Sequence, residues 1–237
     1  MTQCYTHFMQ ISDSNFPQSF SLPGRELKRG SEIPEFSEAF ESAVKGTEKV
    51  QNSLPETVLK PYQKGEFLFL SKAPQNTDWQ TVFQALAKDN SIKHLVLSGQ
   101  NLGKEGAKAL AKALASNTAI AWLILSKNQI EDAGAKSLAE VIKTNPHLRH
   151  VVLDQNEISD EGATALALAV KQNTHIQTLF LQGNKIGDGA SRAFSELLKR
   201  KLPLKLLNVS QNLLSVKSAA QLHLEGTPLG VRVYANS

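Results

Sequence analysis

One phrase, L-x-L-x-x-N-x-[I/L], returns along this chain at a fixed interval. It falls on Leu95-Leu97-Gln100-Leu102, Leu123-Leu125-Asn128-Ile130, Val151-Leu153-Asn156-Ile158, Leu179-Leu181-Asn184-Ile186 and Leu207-Val209-Asn212-Leu214. The step from Leu95 to Leu123 is twenty-eight, and it is the same from each copy to the next. Between the phrases runs a second pattern, Gly106-Ala107…Leu110-Ala111…Leu114, matched by Gly134-Ala135…Leu138-Ala139…Ile142 and Gly162-Ala163…Leu166-Ala167…Val170. A fixed period of roughly 20 to 50 residues means stacked units rather than one globular core.

Each half of the unit has a physical meaning. The L-x-L phrase alternates with period two, which puts both apolar residues on one face of a short strand. The Gly-Ala half carries apolar residues at helical spacing. Strand and helix each have one greasy side, buried against the other and against the next copy, so stacked copies share a continuous core. The amide residue of each phrase, Gln100, Asn128, Asn156, Asn184 or Asn212, sits where the chain turns off the strand. There a carboxamide can satisfy both orphaned backbone donors and orphaned acceptors. That column reads as structural.

The phrase, its step and the Gly-Ala-x-x-Leu-Ala helix resemble leucine-rich repeats of the ribonuclease-inhibitor type, which also form the sensing arms of NOD-like receptors. The resemblance covers roughly residues 63–237. It implies an α/β fold: a right-handed solenoid, or horseshoe, with parallel strands on the concave face and helices on the convex face. It implies no ligand, because function lives in the site rather than the fold.

The length of 237 residues suits one elongated domain with an extension, split at 1–62 and 63–237. Within 1–62, Met1 to Gly30 has turn residues and scattered aromatics but no period, and reads as irregular or partly disordered. From Pro34 to Lys45, Phe36, Phe40 and Val44 fall four apart, the mark of an amphipathic helix. A second helical piece is expected over Thr47 to Leu59. Together, near 34–59, they read as a helical cap on the open end of the array. A disguised first repeat is expected to place Phe67 and Phe69 where Leu95 and Leu97 stand, followed by a helix through Trp79, Val82, Phe83 and Leu86 capped by Asp78. At the far end a helix is expected over Val216 to Leu224. Val231-x-Val233-x-x-Asn236 then reads as a shortened last copy, arriving four positions before the regular step from Leu207. This makes seven strands.

Residues alternating with the core leucines should line the inner face. The central column then reads Leu68, Val96, Ile124, Val152, Phe180, Asn208, flanked by Glu66, His94, Trp122, His150, Thr178, Leu206 and by Leu70, Ser98, Ser126, Asp154, Gln182, Ser210. Of these, His94, Val96, Trp122, Ile124, His150, Val152, Asp154, Phe180 and Asn208, with Lys127 beside them, are the candidate contacts for a partner protein. A contiguous apolar stripe commonly marks a contact surface. Two other readings stay open: a cover supplied by the N-terminal segment, and plain strand propensity.

Charge is unevenly divided. Residues 1–62 hold six Lys/Arg against eight Asp/Glu, while 63–237 hold twenty against fourteen. Lys93, Arg149 and Lys205 recur at one edge of the strands, and Lys199-Arg200-Lys201 cluster at a helix end. Such charges usually form a solvated surface. The alternative is contact with RNA, a ribosome or an acidic partner, which would weaken steeply with salt.

Nothing points to catalysis. The six histidines show no metal-ligand spacing, and there is neither a nucleophile elbow nor a phosphate-binding loop. No cofactor or metal is expected, and the chain reads as a non-enzyme. Its single cysteine, Cys4, excludes intrachain disulfides and suits a reducing compartment. No apolar run is long enough to span a bilayer, and no classical signal peptide is visible. The expectation is a soluble, monomeric binder working in a cytosol. A stand-alone array with a divergent N-terminal extension is similar to the short leucine-rich-repeat effectors that intracellular bacteria deliver into host cells. That likeness implies a host protein as partner, with translation inhibition through the ribosome as an alternative. An intracellular scaffold or ribonuclease-inhibitor-like binder is the third class.

Overall fold

The computed structural model describes residues 63–71, 73–74 and 76–235. The chain divides into two units, Met1–Gln51 and Asn52–Ser237, and all described residues belong to the second. The helices expected within 34–59 and the irregular stretch before them lie outside the described residues.

Eight strands form one sheet in sequence order: β1 (Gln63–Lys64), β2 (Phe67–Phe69), β3 (His94–Val96), β4 (Trp122–Ile124), β5 (His150–Val152), β6 (Thr178–Phe180), β7 (Leu206–Asn208) and β8 (Arg232–Tyr234). From β2 to β8 every pairing is parallel. Each crossover carries a helix: α1 (Trp79–Lys88), α2 (Gly103–Ser116), α3 (Glu131–Thr144), α4 (Asp160–Gln172), α5 (Ser191–Leu198) and α6 (Val216–Gly226). The result is an α/β leucine-rich-repeat solenoid. One apolar cluster runs unbroken from Leu68 to Val233 between sheet and helices, with the paired residues Leu95, Leu123, Val151, Leu179 and Leu207 fully buried in it.

Both ends of the array depart from the sequence expectation. β2 is shifted by one residue: Leu68, not Phe67, pairs with Leu95, and Phe67 and Phe69 pair with His94 and Val96. Leu68 and Leu70 are therefore core residues with no exposed surface, and Phe67 and Phe69 take the opposite face. At the far end Val233, not Val231, pairs with Leu207, so the last copy is two positions short of the regular step rather than four. That slip of two keeps both valines buried because side chains alternate with period two. The eighth strand, β1, has no counterpart in the repeat pattern. It pairs antiparallel with β2 across Gly65, whose φ of +58° suits a residue without Cβ. The expected α1 is present, with Asp78 accepting from the backbone N–H of Gln80 and Thr81.

Polar ladders tie the copies together. The Nδ2 of Asn128 donates to the carbonyls of Leu97 and Leu125, and its Oδ1 accepts from Gln100 N. Asn156, Asn184 and Asn212 each donate in the same way to the preceding copy, at Leu125, Leu153 and Leu181. Gln100 reaches the Ser71 carbonyl at 2.9 Å with its longer side chain. A second ladder, absent from the sequence reading, runs through Asn117, Asn145 and Asn173 just after α2, α3 and α4. Each donates to two carbonyls of the preceding copy and accepts two backbone N–H groups of its own turn. A third uses carboxylates. Asp132 accepts from Ser159 and Gly162 N–H, Asp160 from Gly187 and Asp188 from Ser215. Such bonds from each copy to the next fix the stacking distance.

Candidate functional site: the inner face of the sheet

Alternation along β2–β8 presents a second set of side chains on the face away from the helices. In register, the central column is Phe69, Val96, Ile124, Val152, Phe180, Asn208, Tyr234. The column beside it is Phe67, His94, Trp122, His150, Thr178, Leu206, Arg232. Beyond the strand ends a third row follows: Ser71, Ser98, Ser126, Asp154, Gln182, Ser210. Glu66, Leu68 and Leu70, expected in these rows, are displaced by the one-residue shift of β2.

The rings of the second column stack across four strands. Phe67 lies on His94 with ring centroids 4.1 Å apart, His94 is 6.1 Å from Trp122, and Trp122 is 3.6 Å from His150. His150 continues the line to β6 by a 3.0 Å hydrogen bond between Nδ1 and Thr178 Oγ1. Stacking is the ordinary result of aromatics in register at a strand spacing of about 4.8 Å.

The central column departs from expectation in one respect. Val96, Ile124, Val152 and Phe180 are buried, at 5%, 9%, 1% and 8% exposure, yet none belongs to the apolar cluster between sheet and helices. Trp122 and Asn208 are equally buried, at 8% and 3%. The stripe is an apolar wall, not an open patch. Lys127 does not join it: it lies in the turn after β4 with φ +60° and is exposed.

Electrostatically the wall is quiet. Burial holds the His94 imidazole down at about 4; nearby Lys93 adds to this and Glu66 opposes it. Burial does the same to His150, again at about 4, reinforced by His94, Lys205 and Arg149. Both rings are therefore neutral near pH 7. Asp154 is pushed the other way, up to about 7, because it is buried; the Gln182 backbone N–H, donating to Oδ1 at 2.8 Å, only partly opposes this.

The basic residues lie around this wall rather than in it. Lys93 is paired with Glu66. Arg149 donates from Nη1 to the Pro146 and Leu148 carbonyls. Lys205, Arg200 and Lys201 are exposed, as is Lys199, 3.5 Å from Glu225. Among the described residues no group of three or more His, Cys, Asp or Glu could hold a metal ion. No helix there is long and apolar enough to cross a membrane.

Comparison with known proteins agrees with this architecture. A leucine-rich-repeat family model matches residues 88–111, 123–139, 144–167 and 172–194, and those stretches are leucine-rich repeats. Among solved structures, actin-binding site 2 of leiomodin-1 superposes with a TM-score of 0.53 at 19% identity, over 67% of this chain and 89% of that one. The tropomodulin C-terminal domain of Caenorhabditis elegans gives 0.49 at 19% identity, over 64% and 92%. A complex of TLR13 with ssRNA13 gives 0.27 at 18% identity, over 76% and 34%. At this identity the leiomodin-1 likeness speaks for the fold alone. No curated protein sequence matches the chain.

Proposed function

We propose that this protein is a binding module that takes a protein partner on the inner face of its solenoid and blocks a site on that partner. The carrying observation is the wall itself. Val96, Ile124, Val152, Phe180 and Trp122 form a contiguous apolar wall on the inner face, each 9% exposed or less and outside the cluster that holds sheet to helices. Aromatic and aliphatic anchors of this kind dominate binding energy when a partner covers them. Leiomodin-1's matching region is an actin-binding site on the same fold, which makes actin a sensible first protein to try.

The finer reading is a bacterial effector acting in the cytosol of a host cell, by occlusion of a host protein or assembly. It rests on the resemblance of the repeat type. A second reading, contact with ribosome or RNA, is favoured by the exposed Lys199-Arg200-Lys201 cluster beside Lys205.

Affinity capture from a eukaryotic lysate at low and high salt, using wild type and Ile124→Lys, tests these readings. Discrete proteins retained at high salt and lost with Ile124→Lys support the inner face, provided the variant keeps its circular dichroism. Ribosomal proteins and RNA that vanish with salt favour the second reading. Capture unchanged by Ile124→Lys removes the inner face from consideration.

A further inference from the structure

The last helix, α6, is apolar on two sides. Ala219, Leu222 and Gly226 are buried. Val216, Ala220 and Leu224 follow one another a turn apart on a different face, and Val216 and Leu224 are 73% and 69% exposed. Leu213, in the turn before the helix, is 71% exposed. Counted back by one repeat, Leu213, Val216, Ala220 and Leu224 stand where Lys185, Asp188, Arg192 and Glu196 stand in the copy before. There the charged side chains are tied: Lys185 pairs with Glu157, Asp188 accepts the Ser215 N–H, and Glu196 takes Lys171 and Arg192. Single exposed leucines are ordinary on a protein surface. Exchange of a whole charged set for an aliphatic one is not, and none of the four belongs to the apolar cluster between sheet and helices.

The same end of the array is strongly basic. From Lys199 to Ser237 the chain has six Lys/Arg against one Asp/Glu. Lys199, Arg200, Lys201, Lys205 and Lys217 are exposed. The one acid, Glu225, does little to offset them: its side chain is 12% exposed, with Lys199 Nζ 3.5 Å from Oε1 and Gln221 Nε2 donating to that oxygen at 2.8 Å. The contact between Lys199 and Glu225 also sets the basic cluster beside α6, one residue from Leu224. Leu229, in the 3-10 turn that follows, is 42% exposed.

Charge and side-chain type together select the occupant. A second copy of this chain would set one basic surface against another, which opposes association. Nucleic acid suits the charge, but its bases are held on aromatic side chains, and the exposed set here is aliphatic. A bilayer containing anionic lipid matches both features, because its headgroups attract lysine and arginine while its acyl boundary takes up leucine and valine. At 11 residues α6 is too short to cross a bilayer, so it would lie along the surface.

We propose that the outer side of α6, with the basic cluster beside it, is a docking surface for an anionic lipid bilayer: Val216 and Leu224 enter the headgroup–acyl boundary while Arg200, Lys201 and Lys217 lie among the lipid phosphates. The inner face of the sheet is on the side away from the helices, so a chain docked in this way still presents that face.

The test is flotation of the full-length protein with vesicles of phosphatidylcholine alone and with vesicles containing about one quarter phosphatidylserine. Wild type is compared with three double variants at exposed positions: Val216→Ser with Leu224→Ser, Arg200→Glu with Lys201→Glu, and, as a control on the basic ridge of α2, Lys104→Glu with Lys108→Glu. Circular dichroism checks that each folds. Wild type should bind the anionic vesicles only and be released by salt. The serine pair should weaken binding about tenfold or more. The Arg200/Lys201 pair should weaken it about twentyfold or more, at roughly fivefold per basic residue, and the α2 pair should leave it unchanged. Failure of wild type to float with anionic vesicles overturns the proposal, whatever the variants do. Binding untouched by the serine pair, or weakened as much by the α2 pair, overturns it in favour of general charge attraction. Dimerisation on sedimentation, or retention of polyuridylate, that the serine pair abolishes without any vesicle binding assigns the face to a second copy or to RNA instead.

Discussion

The carboxamide oxygen of Asn156 accepts the backbone N–H of Asn128, one copy earlier, at 2.8 Å, while its Nδ2 donates to the carbonyls of Leu125 and Asp154. One buried side chain thus closes three backbone groups belonging to two repeats. Asn156→Ala would orphan the Asn128 N–H in a site with no exposed surface, while the Leu125 carbonyl keeps Asn128 Nδ2 and the Asp154 carbonyl keeps the Lys127 N–H. An orphaned buried group costs about 1–3 kcal/mol, so a loss of that size in urea unfolding is expected. Gln100→Ala, at the half-buried head of the ladder with a single side-chain bond to Ser71, should cost clearly less. Equal losses at the two positions would show that the ladder is not what holds the copies in step.

The glycines in the first turn of α3 and α4, Gly134 and Gly162, are set by the approach of the previous copy. A Cβ on Gly162 would lie 2.5 Å from Asp132 Oδ1, 2.8 Å from Ile158 Cγ2 and 3.0 Å from the Ala135 Cβ. Alanine is the better helix former by about 1 kcal/mol, so propensity alone predicts that Gly162→Ala stabilises. Overpacking of this kind typically costs about 1–3 kcal/mol and also pushes on the carboxylate that accepts Gly162 N–H. The expected outcome is net destabilisation in a thermal melt. A raised Tm would mean the copies yield more easily than their spacing indicates.

The middle repeats were legible because their apolar residues, amides and glycines return at one step, leaving a single register for each strand. The ends were not, for different reasons. Phe67-Leu68-Phe69-Leu70 is apolar throughout, so alternation does not say which pair faces the helices, and a one-residue slip exchanges the faces. What decides it is the pairing with Leu95. Val231 and Val233 have the same parity, so the slip of two was silent in the hydrophobic pattern. The strand Gln63–Lys64 has no pattern to find. Asn117, Asn145 and Asn173 did recur at the step of the repeat, but in turns, where asparagine is commonplace. The inner column could be named from the middle copies. Its deep burial could not, because sequence alternation reports which way a side chain points and not what surrounds it.

The two stacked histidines make the fold acid-sensitive. His94 and His150 each lie at about 4, below the ordinary 6.5, chiefly through burial. The folded chain therefore prefers both rings neutral. Their contribution is complete above pH 6.5 and is lost as pH falls through 6.5 towards 4. His150→Asn should flatten that limb of the stability profile, measured by urea unfolding at closely spaced pH values, even if it lowers stability at pH 7 by removing the contact with Trp122. A profile as steep as the wild type's would assign the acid loss to other groups.

Asp154 works in the opposite sense. Its carboxyl is raised from the ordinary 3.8 to about 7 by burial, so the folded chain prefers it protonated. The associated stabilisation is present below pH 3.8, declines as pH rises, and is gone above about 7, where the buried group is ionised. Asp154→Asn removes the ionisation and retains an acceptor for the Gln182 N–H. With no partner bound, the variant should be more stable than wild type above pH 7, by on the order of 1–3 kcal/mol, with the difference shrinking towards pH 4. Reading the carboxyl carbon shift of Asp154 by NMR across the same range locates the titration directly. A midpoint near 4 would mean that the charge is already compensated within the chain.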